Sequence, residues 1–288
     1  MRLCLFDDDR LGLVRRDPVA GDLVHDASAA LEALPARRYP FPRHDLLVAA
    51  LPALRAPILA AADAQPGRPL ASVRLRPPVA NPGKIVAAPV NYRKHLEEAE
   101  ADPATFHAAH VRKIEETGLF LKATSSLAGA SDTLRVNQPD RRTDHEVELA
   151  AIIGTPCKDA TRENALGHVA AYAIGLDITI RGPEERSLRK SPDTYTVLGP
   201  WMVTADEIGD PAALDLLLEV NGEVRQRANT RDLLLDIPAL IVFASRFYTL
   251  EPGDILLTGT PEGVGPIRPG DTMHAAIEGI GAMTLRVA

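Results

Sequence analysis

The stretch DHEVELAAIIG, residues 144 to 154, places Glu146 and Glu148 two residues apart in a segment that otherwise reads as a strand entering the protein interior. Side chains two apart on a strand share a face at about 7 Å, so the carboxylates repel unless water or a cation lies against them. A third acid, Asp177, sits in AAYAIGLDITIRG, where small and apolar residues carry one carboxyl group into a buried strand. A buried, unpaired carboxylate acquires a partner or takes up a proton. Taken alone, the Glu pair reads as a solvated strand face; with Asp177 it reads as a cation site. Three oxygen donors with no His or Cys at ligand spacing beside them suit a hard ion, Mg²⁺, Mn²⁺ or Ca²⁺, better than zinc. His145 adjoins Glu146, but strand alternation turns it to the other face, so it is not counted in the site.

A second constellation lies in NYRKHLEEAE, where His95 and Glu98 are three residues apart. On a helix these share a face, and a carboxylate there orients the imidazole, fixes its tautomer and raises its basicity, as a general base for water requires. The same spacing alone also describes an exposed ion pair. The loop-like stretch RGPEERSLRKSPDTYTVLGPW holds Arg181, Arg186, Arg189 and Lys190. Three carboxylates around one divalent ion keep a charge of about −1, so an anionic substrate needs such extra cations. LLTGTPEGVGP is Gly-rich but lacks the Lys-Ser/Thr ending of a phosphate loop and is followed by another turn, which argues against a nucleotide site. Thr260 and the N–H groups beside it can still bind a carboxylate or carbonyl oxygen.

These residues need elements to position them. Residues 1 to 75 show short strand-like pieces, an Ala/Leu-rich helix expected over 27–34, and Pro-punctuated segments. LRPPVANPGK, residues 75 to 84, ends any regular element and marks a boundary between a small α/β domain, 1–76, and a larger one, 77–288. The larger part is β-rich: Asn221-Gly222 between two strand-like runs predicts a type I′ hairpin, and two Pro-Gly-Asp turns lead into further strands. Helices are expected from about Tyr92, over TRENALGHVAAY with Thr161 as N-cap, and over DIPALIVFASRF with Asp236 as N-cap and Pro238 in the first turn. Strands and helices do not alternate, so the fold class is α+β, mainly β, not a doubly wound sheet. The polar, Ala-rich segment from Tyr92 to Thr117 is expected to be mobile and to close over the metal with substrate bound.

Composition narrows the function classes. With 45% apolar and 25% charged residues and a net charge of −7, the 288-residue chain is an ordinary globular protein, and its charge disfavours nucleic acid. Cys4 and Cys157 make neither a disulfide framework nor a Cys-based metal site, consistent with a reducing, cytoplasmic location. No run is expected to reach the roughly 18 apolar residues of a membrane span.

In this order and at these spacings, KIVAAPVNYRKH, DHEVELAAIIG, GLDITIR, RKSPDTYTVLGPWMVTADEI, VNGEVRQRANTRDLL and YTLEPGDILLTGTPEGVGPIRPGD make the chain, from about Lys84 onward, resemble the fumarylacetoacetate hydrolase family. The resemblance implies a mixed β-sandwich roll with Glu146, Glu148 and Asp177 as ligands of Mg²⁺, or of Mn²⁺ or Ca²⁺. It makes His95 and Glu98 the dyad that polarises water and Lys190 the oxyanion-stabilising lysine. Tyr92, Arg181 and Thr260 then fall at substrate-contacting positions. Two departures bear on substrate: Glu184 stands where many members have a glutamine that contacts substrate or lid, which makes it a further expected substrate contact, and Pro192 in KSPD replaces an aromatic residue. The implied activity is cleavage of a carbon–carbon bond in a 1,3-diketone or acylpyruvate-type 2-oxo acid, in the catabolism of aromatic compounds or related acids. Isomerisation or decarboxylation of 2-hydroxymuconate-type diacids and hydrolysis of a 2,4-dioxo sugar acid use the same residues. A metal-binding protein without activity has no use for His95 with Glu98. The expected partner is a small anionic 2-oxo acid, and the expected assembly is a homodimer.

Overall fold

The computed structural model describes residues 1–103, 105–106 and 114–288; the remainder of the segment expected to close over the site lies outside the described residues. At the centre is the strand Val147–Ile153, every residue of which is buried. It pairs antiparallel with Val169–Asp177 on one side and Ile255–Leu257 on the other. The continuous apolar run follows from burial on both faces. Val147, Leu149, Ala151 and Ile153 join a core with Leu216, Leu218, Met273 and Ala275 of a separate four-stranded sheet. Ala150 and Ile152 join a second core with Leu3, Val48, Leu51 and Ile58.

The central strands belong to a twelve-stranded mixed sheet. Beyond Val169–Asp177 lies Thr196–Thr204, and against it, antiparallel, Arg2–Phe6 with Leu3 opposite Met202. Beyond Ile255–Leu257 lie Ile85–Ala87 in parallel and then Phe120–Lys122. The architecture is mainly β with few helices, as the sequence predicts: α1 (Leu46–Asp63), α2 (Arg93–Ala101), α3 (Ile114–Thr117), α4 (Arg186–Arg189) and α5 (Ile237–Phe247).

Asn221 and Gly222 take φ of 54° and 79° between the strands Asp215–Val220 and Glu223–Asn229, as a type I′ turn demands. Asp236 caps α5, its carboxylate accepting from the Ala239 N–H at 3.0 Å, with Pro238 in the first turn. The helix expected over TRENALGHVAAY is absent: one 3₁₀ turn, Ala165–His168, precedes the strand that begins at Val169. Pairing of VAAYAIGLD with strands on both sides outweighs the helix propensity of its alanines. Residues 27–34 likewise form only a 3₁₀ turn, Ser28–Ala33.

The sequence reading also misses α1, because Pro52 and Pro57 lie inside it. Each proline costs about 3 kcal/mol in a helix interior. Burial of Leu47, Val48, Leu51, Leu54, Ile58 and Ala62 along one face, with Asp45 capping the Val48 N–H at 3.0 Å, offsets that cost. Contrary to expectation, α1 has the length and composition of a membrane span, with 18 residues at a mean hydropathy of 1.6. Its buried face and its place in the second core are those of a helix covering a sheet.

Candidate active site

Asp177 N donates to Glu146 O at 2.9 Å, and Glu148 lies opposite Gly175 on the same strand pair. Register therefore delivers three carboxyl groups to one point. One oxygen from each of Glu146, Glu148 and Asp177 can be chosen so that all lie within 4.8 Å of one another, and the side chains are 4%, 1% and 1% exposed. That is the donor set of a hard cation with its ligands gathered beforehand.

The electrostatics of the trio are uneven. Burial alone would raise Glu146, but the Lys190 ammonium and the Arg181 guanidinium outweigh it and hold the carboxyl at about 2. Glu148 goes the other way: burial, then the charges of Asp177 and Glu146, push it well above the carboxylate range, although Gly259 N donates to its Oε2 at 2.6 Å. Glu148 is thus the member of the trio that no ammonium or guanidinium among the described residues bonds, and its shift registers burial and the crowding of carboxyl groups around it. Three gathered carboxyl oxygens, one of them without an ion-pair partner, are donors that fit a hard divalent cation.

Lys190, just after α4, is buried and donates from Nζ to Glu146 Oε2 at 2.7 Å, Asp177 Oδ2 at 2.7 Å and Thr179 Oγ1 at 2.6 Å. All three of its N–H bonds are committed, so it reaches another oxygen only by releasing one. Arg181 donates from Nε to Asp144 Oδ2 at 2.7 Å and from Nη2 to Glu146 Oε1 at 3.0 Å. Its guanidinium lies over the Phe106 ring, 4.7 Å from the centroid.

Helix α2 brings His95 to the same cleft. His95 Nδ1 is 2.8 Å from Glu98 Oε2, and Glu98 Oε1 accepts from Gly263 N at 3.0 Å. A carboxylate anchored at its other oxygen fixes the imidazole with its proton on Nδ1 and leaves Nε2 as the basic nitrogen. Phe106 packs edge-on against the His95 ring at 5.6 Å.

Thr260 lines the cleft, with its hydroxyl donating to Val147 O at 2.9 Å and accepting from Gln226 Nε2 at 2.8 Å. Two expected contacts stand apart from the cleft lining. Tyr92 is 1% exposed, and its hydroxyl has no hydrogen-bond partner among the described residues. Glu184 is turned to Arg141 in a two-point pair at 2.8 and 2.9 Å. His145 faces away as expected, its Nδ1 3.2 Å from Gln226 Oε1, and burial pushes its pKa down.

The sequence reading does not find Lys122, Asp144, Phe106 or Gln226. Lys122 is buried and pairs with Asp177 Oδ1 while donating to Tyr195 O at 3.0 Å. Its signal is the inward position it takes beside the exposed Leu121 in an otherwise apolar strand. Asp144 is wholly buried between Arg181 and Arg142. Gln226 accepts from Val147 N at 3.0 Å, tying the hairpin of the four-stranded sheet to the site strand.

Comparison with known proteins places these features in context. The model of the fumarylacetoacetate (FAA) hydrolase C-terminal family matches residues 84–288. Maleylpyruvate hydrolase of Aquipseudomonas alcaligenes is 54% identical over 289 residues, covering 100% of this chain and 99% of that one. The crystal structure of maleylpyruvate hydrolase from Sphingobium sp. SYK-6, in complex with manganese(II) ion and pyruvate, matches with a TM-score of 0.83 at 42% identity, covering 100% and 99% of the two chains. That of 5-carboxymethyl-2-hydroxymuconate delta-isomerase from Mycobacterium smegmatis matches with a TM-score of 0.71 at 32% identity, covering 100% and 99%.

Proposed function

Since this chain belongs to the fumarylacetoacetate hydrolase family and is an enzyme of it, we propose that it hydrolyses a carbon–carbon bond in an acylpyruvate-type 2-oxo acid, with a divalent metal ion bound. The observation that carries the reading is the meeting of the buried carboxylate trio with the His95–Glu98 pair in one cleft. Full-length similarity to a maleylpyruvate hydrolase, and to a solved one that holds manganese and pyruvate, supports the substrate class.

Glu146, Glu148 and Asp177 would hold the ion, which supplies positive charge and Lewis acidity to a 2-oxo-carboxylate. His95 Nε2 takes a proton from water, whose oxygen adds to the carbonyl carbon remote from that carboxylate. Lys190 releases one of its present acceptors and donates to the oxyanion that forms, an effect typically worth about 3 to 4 kcal/mol per well-placed donor. The carbon–carbon bond then breaks, its electron pair passes to the carbon between the two carbonyls, and the imidazolium returns its proton there. The products are a carboxylic acid and a 2-oxo acid. Arg181, clamped by Asp144 and backed by Phe106, keeps Glu146 in place.

Finer points rest on family likeness and sequence alone: Mg²⁺ as the working ion, a homodimer, a cytoplasmic location and a place in aromatic catabolism. Similarity to a delta-isomerase favours one second reading, in which the same residues move a proton without adding water.

The test is an assay of acylpyruvates, 2-hydroxymuconate-type diacids and dioxo sugar acids with Mg²⁺, Mn²⁺ or EDTA. Acylpyruvate cleavage that needs the ion is expected. Activity unchanged by EDTA would overturn the reading, and conversion of a muconate-type diacid without water uptake would favour the isomerase.

A further inference from the structure

Gln226 lies on the strand Glu223–Asn229 of the four-stranded sheet, wholly buried and apart from the cleft lining. Its Oε1 accepts from Val147 N at 3.0 Å and is 3.2 Å from His145 Nδ1. Its Nε2 donates to Thr260 Oγ1 at 2.8 Å and to Pro261 O at 2.9 Å. These neighbours fix the amide, because a backbone N–H only donates and a backbone carbonyl only accepts; the reversed group would oppose like to like at both ends. Both amide hydrogens and both lone pairs of the oxygen are then used, with His145 Nδ1 as the donor. Thr260 Oγ1 accepts from Gln226, so its own proton goes to Val147 O at 2.9 Å.

Val147 is the residue between Glu146 and Glu148. Its N–H is held by Gln226 directly and its carbonyl through Thr260. The loop on the other side of the amide carries two anchors of the site: Gly259 N donates to Glu148 Oε2 at 2.6 Å, and Gly263 N to Glu98 Oε1 at 3.0 Å. That loop lies flat on the hairpin, since a Cβ on Gly263 would fall 2.0 Å from Arg225 O. Residues 225 and 226 therefore back the strand of the carboxylates and the loop that steadies the dyad at once. A buried amide with every bond made is stiff, and loses that stiffness when any partner is removed.

Resting on the hydrolase reading above, we infer that Gln226 is a positioning residue, whose amide fixes the spacing between the strand bearing Glu146 and Glu148 and the loop 259–263. It acts through Val147 and Thr260. An apolar residue of similar size leaves Val147 N–H and Pro261 O buried without that partner and frees the loop to shift against the strand. Glu148 and Glu98 then lose their alignment together, so ion binding and turnover fall together.

The test compares Gln226→Met with Thr230→Val in the full chain. Thr230 is buried at the end of the same hairpin, donating to Pro211 O at 2.8 Å and accepting from Leu214 N at 2.9 Å, so its loss also costs buried hydrogen bonds. Both variants should unfold at lower temperature. Calorimetric titration should show Mn²⁺ bound about 10- to 100-fold more weakly by Gln226→Met and within about twofold of wild type by Thr230→Val. With Mn²⁺ saturating and an acylpyruvate as substrate, Gln226→Met should lower kcat about tenfold or more with KM within about threefold, because the residue orients groups without touching substrate. Should Gln226→Met fail to fold, Gln226→Glu decides: it keeps the acceptor for Val147 N–H, loses at least one donor and adds a charge that attracts cations. Weaker Mn²⁺ binding there, against the sign of the added charge, is the expected result. Mn²⁺ affinity unchanged in the folded variant, or lost equally in Thr230→Val, would overturn the role. Cleavage of no acylpyruvate by the wild type would sink the hydrolase reading instead, and the Mn²⁺ titrations would still decide the role of Gln226.

Discussion

Glu148 carries the metal argument at the scale of single residues, because it is the ligand that the protein leaves poorly compensated. In metal-free protein its carboxyl sits well above the ordinary range, owing to burial and to Asp177 and Glu146. A group raised on folding contributes its stability in full below its unfolded value and loses it as pH rises through the folded one. Glu146, held at about 2, stays charged throughout and adds no slope near neutrality. In EDTA, the stability of the wild type relative to Glu148→Gln should therefore fall as pH rises above the ordinary carboxylate range, as read by urea denaturation, and saturating Mn²⁺ should reverse the trend. A difference independent of pH would mean that Glu148 is compensated by something else. The trio, His95 with Glu98, and Lys190 are legible in the sequence because each is a polar side chain at a spacing that demands a partner. Lys122 and Asp144 are not, since their partners Asp177 and Arg181 lie 55 and 37 residues away and only folding makes them neighbours.

Turns and strand ends set the precision of the site at the next scale. Gly222 and Gly259 both have positive φ, 79° and 101°, and both lie next to strands. Their surroundings differ: a Cβ on Gly222 meets nothing within 4 Å, whereas one on Gly259 would lie 2.7 Å from Asn91 Cβ. Asn91 cannot yield easily, because it bonds Thr258 O and both backbone groups of Leu235 at 2.8 Å. Gly222→Ala should cost about 1 to 2 kcal/mol of stability, the penalty for a left-handed non-glycine residue, and leave kcat/KM within about twofold. Gly259→Ala should cost about 1 to 3 kcal/mol more through overpacking and also weaken Mn²⁺ binding, because the Gly259 N–H holds Glu148. Equal effects on stability with no change in metal affinity would show that the Gly259 turn does not position the ligand. Elements with local signals are readable in this way: the Asn-Gly hairpin and the Asp236 cap stand as predicted. Helix α1 and the strand that begins at Val169 are decided by burial and by pairing partners distant in sequence, which local propensity does not contain.

For the whole molecule, the division expected between residues 1–76 and 77–288 bears on how the catalytic sheet is covered. The family match begins at residue 84, yet Arg2–Phe6 hydrogen-bonds to Thr196–Thr204 as the next strand of the catalytic sheet. The N-terminal ammonium also pairs with Glu207 at 2.6 Å. The second core mixes the two parts: Leu3, Leu5, Leu11, Leu51 and Ile58 pack in one cluster with Ile85, Ile152, Leu198, Met202 and Leu257. Removing residues 1–76 would strip one face of the site strands and bare an unpaired sheet edge, a combination that favours aggregation over folding. The stabilities of the two parts are therefore coupled, since burying five large aliphatic side chains at about 1.5 to 3 kcal/mol each is comparable to the whole margin of a typical domain. The truncated chain 77–288 is expected to be insoluble, or soluble without cooperative unfolding. The full chain is expected to show one calorimetric transition that rises with Mn²⁺. Two separable transitions, only one of them sensitive to Mn²⁺, would establish instead that the first 76 residues form an independent domain beside a self-sufficient catalytic one.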